Sequence, residues 1–268
     1  MKLEDYVQQA LSTGTLPDLP DRSYIDGRWC APASGEWMET FDPGTGKPFA
    51  RVAACGRVDV DIAAESCAYA FKNVWSRADP TERARVLRQG AAMVRAHADR
   101  LAVVETLDSG KPLSESRDDV QTAARLLDYY GGAADKLQGD AIPLGSQFVS
   151  YNLLEPVGVT AHIVPWNFPL FTMARGVAPA LAAGCTAIVK PAETTSLTAL
   201  MLADLLHQAG LPEGVCNVVT GTGQAVGDPL SRHEAVRHIT FTGSVATGKQ
   251  VMRNAADHVA SVTLELGG

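Results

Sequence analysis

From Val157 onward the chain alternates short runs of β-branched and apolar residues with longer stretches of helical character. The runs fall at Val157–Val164, Thr186–Val189, Val215–Val219, His238–Thr242 and Ser261–Leu266, with a helix predicted in each interval. Runs this apolar, with little polar alternation, suit strands buried on both faces. Repeated strand–helix alternation predicts an α/β fold, a Rossmann-like parallel sheet with helices on both faces. In such sheets ligands gather where the carboxyl ends of strands turn into helices.

Upstream the pattern differs. Residues 1–22 read as a short helix and a Pro/Asp-rich lead-in, and Ser23–Thr40 alternates around Asp26-Gly27 as a hairpin does. Asp42–Gly46 is a turn cluster. Three helical stretches follow: Val58–Trp75, a second opening at Asp79 with Pro80 at its first position and breaking near His97, and Leu113–Gly131. Asp79 and Glu82 have the spacing of a capping box. Between Gly139 and Pro156 the helical period disappears. Phe148–Leu154 reads as extended chain, so this segment is expected to be a protruding β arm.

Composition narrows the chemistry. The 268 residues carry a net charge of −7, which argues against nucleic acid or an anionic membrane as a partner. No apolar stretch is long enough to span a bilayer. Five cysteines without a CxxC pair, and no secretory-type start, fit reduced thiols and a cytoplasmic setting. Cys185 and Cys216 read as inert core residues. The six histidines show no metal-ligand spacing, so no metal site is expected, and His162 reads as buried and hydrogen-bonded.

The turns after the strands carry the candidate chemistry. The first is Pro165-Trp166-Asn167-Phe168-Pro169, an amide in a turn stiffened by two prolines. The second is Lys190-Pro191-Ala192-Glu193, whose charged pair could hydrogen-bond a ribose or lie in a solvated loop. The third, Thr220-Gly221-Thr222-Gly223 with Gly227 beyond, permits close approach to the backbone. The fourth, Phe241-Thr242-Gly243-Ser244, leads to Gly248-Lys249 in nearly the spacing of a P-loop. Gln250 stands where that motif needs a magnesium-binding hydroxyl, which argues against a nucleoside triphosphatase. A pyrophosphate at this helix N-terminus is the better expectation. On the last strand Glu265 lies between Leu264 and Leu266. It suits a general base if its surroundings are apolar, and it is a solvated residue if it points to water.

Taken in order, these segments resemble the NAD(P)-dependent aldehyde dehydrogenase superfamily. The motifs are Pro165–Pro169, Gly184–Glu193, Phe241–Ser244 and Leu264–Gly268, with Tyr24–Trp29 and Asp108–Leu113 upstream. The resemblance implies catalytic roles for Asn167, as donor to an oxyanion, and for Glu265, as the base that activates water. It implies NAD as cofactor, with Lys190 and Glu193 on the adenosine ribose, Gly223 and Gly227 by the adenine, and Gly243 and Ser244 on the pyrophosphate. Trp166 would line the nicotinamide ribose, and Ile163, Pro165, Ala192, Phe241 and Leu266 would complete the cofactor-binding set. The implied division is 1–138 as the N-terminal part of the cofactor-binding domain, 139–156 as an oligomerisation arm and 157–268 as its core. The family's nucleophilic cysteine is expected beyond Gly268, and none of the five cysteines here matches it. The whole enzyme would convert an aldehyde, NAD+ and water to a carboxylic acid and NADH, as a homo-oligomer. This chain alone is expected to be inactive. The alternative is a non-catalytic NAD-binding module or an assembly partner of a full-length subunit.

Overall fold

The computed structural model describes residues 2–267. Gly268, the last residue of the Leu264–Gly268 motif, lies outside them. The chain opens with helix α1 (Leu3–Thr13). A hairpin follows, β1 (Ser23–Ile25) and β2 (Arg28–Cys30). Its two-residue turn places Asp26 and Gly27 at φ 55° and 71°, the left-handed pair that a tight hairpin turn demands. A second hairpin pairs β3 (Trp37–Asp42) with β4 (Lys47–Ala53) across the predicted turn cluster.

Four helices come next: α2 (Arg57–Asn73), α3 (Pro80–Ala96), α4 (Ala98–Ser109) and α5 (Leu113–Ala133). The predicted break falls at His97, between α3 and α4. The capping box does not form. Asp79 occupies the N-cap but accepts no bond through its side chain, and Glu82 pairs with Arg85 rather than reaching back to the cap. The arm is a two-stranded ribbon of β5 (Ala141–Ile142) and β6 (Ser150–Tyr151). Phe148, Val149, Tyr151, Leu153 and Leu154 are all exposed on or beside it.

The alternating segment folds as the apolar pattern requires. Strands β7 (Val159–Ile163), β8 (Thr186–Lys190), β9 (Cys216–Val218), β10 (Val236–Gly243) and β11 (Ser261–Leu266) alternate with helices α6 (Pro169–Ala182), α7 (Leu197–Gln208), α8 (Asp228–Ser231) and α9 (Val245–Ala256). The sheet order is β11-β10-β7-β8-β9-β1-β2. The five strands from β7 on are parallel, and the first hairpin continues the sheet antiparallel through Tyr24 opposite Val218. Burial on both faces is visible in β8. Ala187 and Val189 join the core under α3, α5, α6 and α7, whereas Ile188 joins a second core with residues of α2, α8 and α9.

Strand order fixes where a ligand can enter. From β7 the chain moves outward through β8 and β9, then returns to lay β10 on the other side of β7. The connections leaving β7 and β10 therefore diverge to opposite faces. That divergence opens a crevice beyond their carboxyl ends.

Candidate functional site

The crevice is a cleft of about 980 Å³. Each wall comes from one strand end. β7 contributes Ile163, Val164, Pro165 and Trp166, and β8 contributes Lys190, Ala192 and Glu193. Gly223 and Gly227 come from the turn beyond β9, and Phe241, Thr242, Gly243 and Ser244 from the end of β10. Eleven of the twelve residues expected to bind a cofactor thus share one cleft. The exception is Leu266, which packs against Gly248 on α9; a Cβ at Gly248 would come within 2.6 Å of it.

Charge in the cleft is arranged around Lys190. Its side chain is buried at the end of β8, and its ammonium donates to Glu193 Oε2 at 2.9 Å. Burial is the largest single influence on the Glu193 carboxyl and pushes it up, but the hydrogen bond and charge of Lys190, with a bond from the backbone, together hold the group below the ordinary carboxylate range. A buried ammonium is tolerated only when paired. The pair is therefore built in, with the carboxylate end facing solvent.

Opposite lies the start of α9. Ser244 is its N-cap, and its Oγ accepts from the Thr247 N–H at 3.2 Å. The remaining N–H groups of the first turn are available to an anion. The strand ends at Gly243 and the helix begins at Val245, so Gly248 and Lys249 lie inside the helix. The loop that a P-loop wraps around phosphate is not formed here. Gln250 donates to Asn254 at 2.8 Å instead. Beyond β9, Gly221 adopts φ 145°, with Cys55 O 2.9 Å from where a Cβ would sit. Thr222 Oγ1 then caps the wide turn Gly223–Gly227 through the Ala225 N–H at 3.1 Å.

The two expected catalytic residues lie outside this cleft. Asn167 is exposed on the turn into α6, directly after Trp166. Glu265 lies across the strand pair from Thr242 and lines an adjoining cavity of about 230 Å³ with Arg175, Thr172 and Thr263. The two cavities share Ile163, Val164, Phe241 and Thr242 as a partition. Glu265 is exposed, so the apolar surroundings that would favour a base are not supplied by these residues.

Sequence reasoning missed a polar floor. Asn254 of α9 donates to Asp228 Oδ1 at 2.9 Å and to Ser231 Oγ at 2.7 Å, and all three line the cleft. The available signal was the helical spacing of Thr247, Gln250, Val251 and Asn254, which puts them on one face. His162 is buried as expected, bonded to Thr160 at 2.8 Å and Thr240 at 2.7 Å. Burial, with His238 nearby, lowers it to about 3, so it is neutral. Burial likewise raises the thiols of Cys30, Cys55, Cys67, Cys185 and Cys216, and none of the five lines the cleft. No group of three or more potential metal ligands occurs among the described residues. No described helix is long and apolar enough to cross a membrane.

Residues 29–268 match the model of the aldehyde dehydrogenase family. A hydroxyisobutyraldehyde dehydrogenase of Mycolicibacterium austroafricanum is 46% identical over 93% of this chain and 49% of its own length. An NADP/NAD-dependent aldehyde dehydrogenase of Escherichia coli is 45% identical, over 93% of this chain and 51% of its own. Among solved structures, betaine aldehyde dehydrogenase from Staphylococcus aureus in complex with NAD+ superimposes with a TM-score of 0.91 at 37% identity. It is matched over 94% of this chain and 50% of its own. The chain spans about half the length of the curated relatives it matches.

Proposed function

The chain belongs to the aldehyde dehydrogenase family, and from that premise we propose that it is the NAD-binding part of an enzyme oxidising an aldehyde, with NAD+ and water, to a carboxylic acid and NADH. The observation that carries the proposal is the convergence of Trp166, Lys190, Gly223, Gly243 and Ser244 on one cleft at the point where the strand order reverses.

The donor set suits a dinucleotide. Ser244 and the first N–H groups of α9 would hold the pyrophosphate, which gains from the positive end of the helix. Gly223 and Gly227 have open space where a Cβ would sit, so a planar base can approach their backbone. Lys190 and Glu193 would bind the adenosine ribose, one as donor and the other as acceptor. The Glu193 carboxylate would repel a 2′-phosphate, which favours NAD+ over NADP+. Ile163, Pro165, Ala192 and Phe241 complete the walls. Bound NAD+ supplies the hydride acceptor. Asn167 would donate its amide N–H to the carbonyl oxygen as that oxygen gains charge. Glu265 would take a proton from water in the hydrolytic half of the reaction, once further structure covers the edge on which it lies.

A thiol nucleophile is not supplied by the described cleft, because the five cysteines lie elsewhere with raised pKa values. We therefore assign cofactor binding, without turnover, to this chain alone. The same observation favours the second reading, a non-catalytic NAD-binding module or assembly partner. The exposed apolar ribbon 139–156 supports homo-oligomerisation of the whole protein, as dimer or tetramer. The reduced-thiol composition supports a cytoplasmic location.

Equilibrium titration with NAD+ and NADP+ tests the assignment. NAD+ is expected to bind more tightly, and Glu193→Gln to narrow the gap by raising affinity for NADP+. Equal affinities in the wild type would refute the role of Glu193. Production of NADH on addition of any aldehyde would refute the prediction that this chain does not turn over.

A further inference from the structure

Lys111 lies in the short link between α4 and α5, away from the cleft, and its side chain is almost fully buried. Its ammonium pairs with Asp119 on α5 and lies 3.8 Å from Glu105 Oε1 on α4. The same ammonium sits 4.2 Å from the centroid of the Phe168 ring. Phe168 follows Asn167 directly and forms the N-cap of α6, where its side chain caps nothing. The ring also meets Phe171 edge-on, with centroids 6.1 Å apart.

The turn Pro165–Pro169 needs such a tether. Trp166, Asn167 and Phe168 are all exposed. Backbone bonds hold the turn at its two flanks, from Val164 N–H to Lys190 O at 3.1 Å and from Thr172 N–H to Phe168 O at 2.9 Å. Between those flanks, the stack under Phe168 links the turn to the helical layer. A cation over an aromatic face is held electrostatically. This cation is itself held in place by the Asp119 carboxylate, with the Glu105 carboxyl 3.8 Å away.

We propose that Lys111 is a positioning residue for the aldehyde-binding end of the site: through Phe168 it fixes the turn that presents Trp166 and Asn167. The proposal extends the reading of Asn167 as an oxyanion donor and rests on that reading for its catalytic meaning. Its structural content can be tested without cofactor or substrate.

The test uses the chain labelled with 5-fluorotryptophan and one-dimensional 19F NMR. The four tryptophans, Trp29, Trp37, Trp75 and Trp166, give four signals, and Trp166→Phe identifies the one in the turn. Lys111→Met is expected to shift or broaden the Trp166 signal while the signal of buried Trp75 stays in place. Lys111→Arg, which keeps a cation over the ring, is expected to restore it. In a Phe168→Leu background the step from Lys111 to Met should leave Trp166 unchanged, because the ring that transmits the effect is gone. The proposal is overturned if Lys111→Met leaves Trp166 unmoved, if Trp75 moves with it, or if the effect persists without Phe168. Should Lys111→Met fail to fold, Lys111→Met with Asp119→Asn removes the orphaned charge and carries the same comparison. If that variant also loses its Trp75 signal, Lys111 serves fold stability and the proposal falls. Failure on any of these counts leaves dinucleotide binding to be decided by its own titration.

Discussion

Glu105 offers a sharp test of how the helical layer is held, through the substitution Glu105→Gln. The carboxyl is fully buried on α4. Its Oε2 accepts from Thr198 Oγ1, and its Oε1 has no hydrogen-bond partner. Burial pushes the group from 4.5 up to about 7, against the lowering effects of Thr198 and the Lys111 ammonium. Between those two pH values the folded protein keeps the proton and the unfolded chain has released it. Stability from this group is therefore undiminished below about 4.5, falls as pH rises to about 7, and then stays at the lower level. A gap of about 2.5 pH units, at about 1.36 kcal/mol each, amounts to about 3 kcal/mol. Gln keeps the shape and the acceptor for Thr198 but does not ionise. Urea unfolding of wild type and variant at pH 5, 6, 7 and 8 measures the difference. The variant should match the wild type within about 1 kcal/mol at pH 5 and exceed it by up to about 3 kcal/mol at pH 8. Asp108, pushed up to about 7 by burial despite bonds from Leu197 N–H and Thr40, titrates in both proteins; its charge also raises Glu105, so removing the Glu105 charge relieves that repulsion and adds to the advantage of the variant at high pH. A difference that is flat with pH, or a variant that weakens as pH rises, would refute the reasoning and make the Lys111–Glu105 attraction dominant.

Other substitutions probe the frame of the cleft. Gly221→Ala forces a side chain at φ 145° to within 2.9 Å of Cys55 O and 2.5 Å of Val226 Cγ2; thermal unfolding should show a loss above about 2 kcal/mol. Ser244→Ala removes the acceptor for Thr247 N–H; it should cost about 1 kcal/mol of stability and, in an NAD+ titration, weaken affinity further. Gly139→Ala places a Cβ 1.9 Å from Asn152 O; it should open the ribbon, seen as faster proteolysis within residues 139–156 with the melting temperature unchanged.

How much of this was legible in the sequence follows from what is local. The parallel strands appeared as β-branched runs because both faces of β7 and β8 are buried, leaving no polar alternation to blur them. The break at His97 and the turn at Asp26-Gly27 were readable from single residues that disfavour continuing the element. The joining of β1 to β9 was not readable, since it rests on one pairing, Tyr24 with Val218, across nearly two hundred positions. The residues of the cleft were named through the resemblance that the turns carry together, because the glycines and the Lys190–Glu193 pair taken singly fit ordinary solvated loops as well. Its floor at Asp228, Ser231 and Asn254 was missed because ordinary polar residues on helices carry no motif. Glu265 shows the limit most clearly. Sequence could put it on the last strand, but its burial depends on what packs against that edge, and in the described residues it is open to solvent.

The central claim is that the ends of β7, β8 and β10 converge on one dinucleotide, and a crystal structure of this chain grown with NAD+ tests it most directly. The account predicts density for the pyrophosphate at the first turn of α9 beside Ser244, with a ribose against the Lys190–Glu193 pair. Density for NAD+ on another surface, or a well-diffracting crystal with an empty cleft at saturating NAD+, would contradict it.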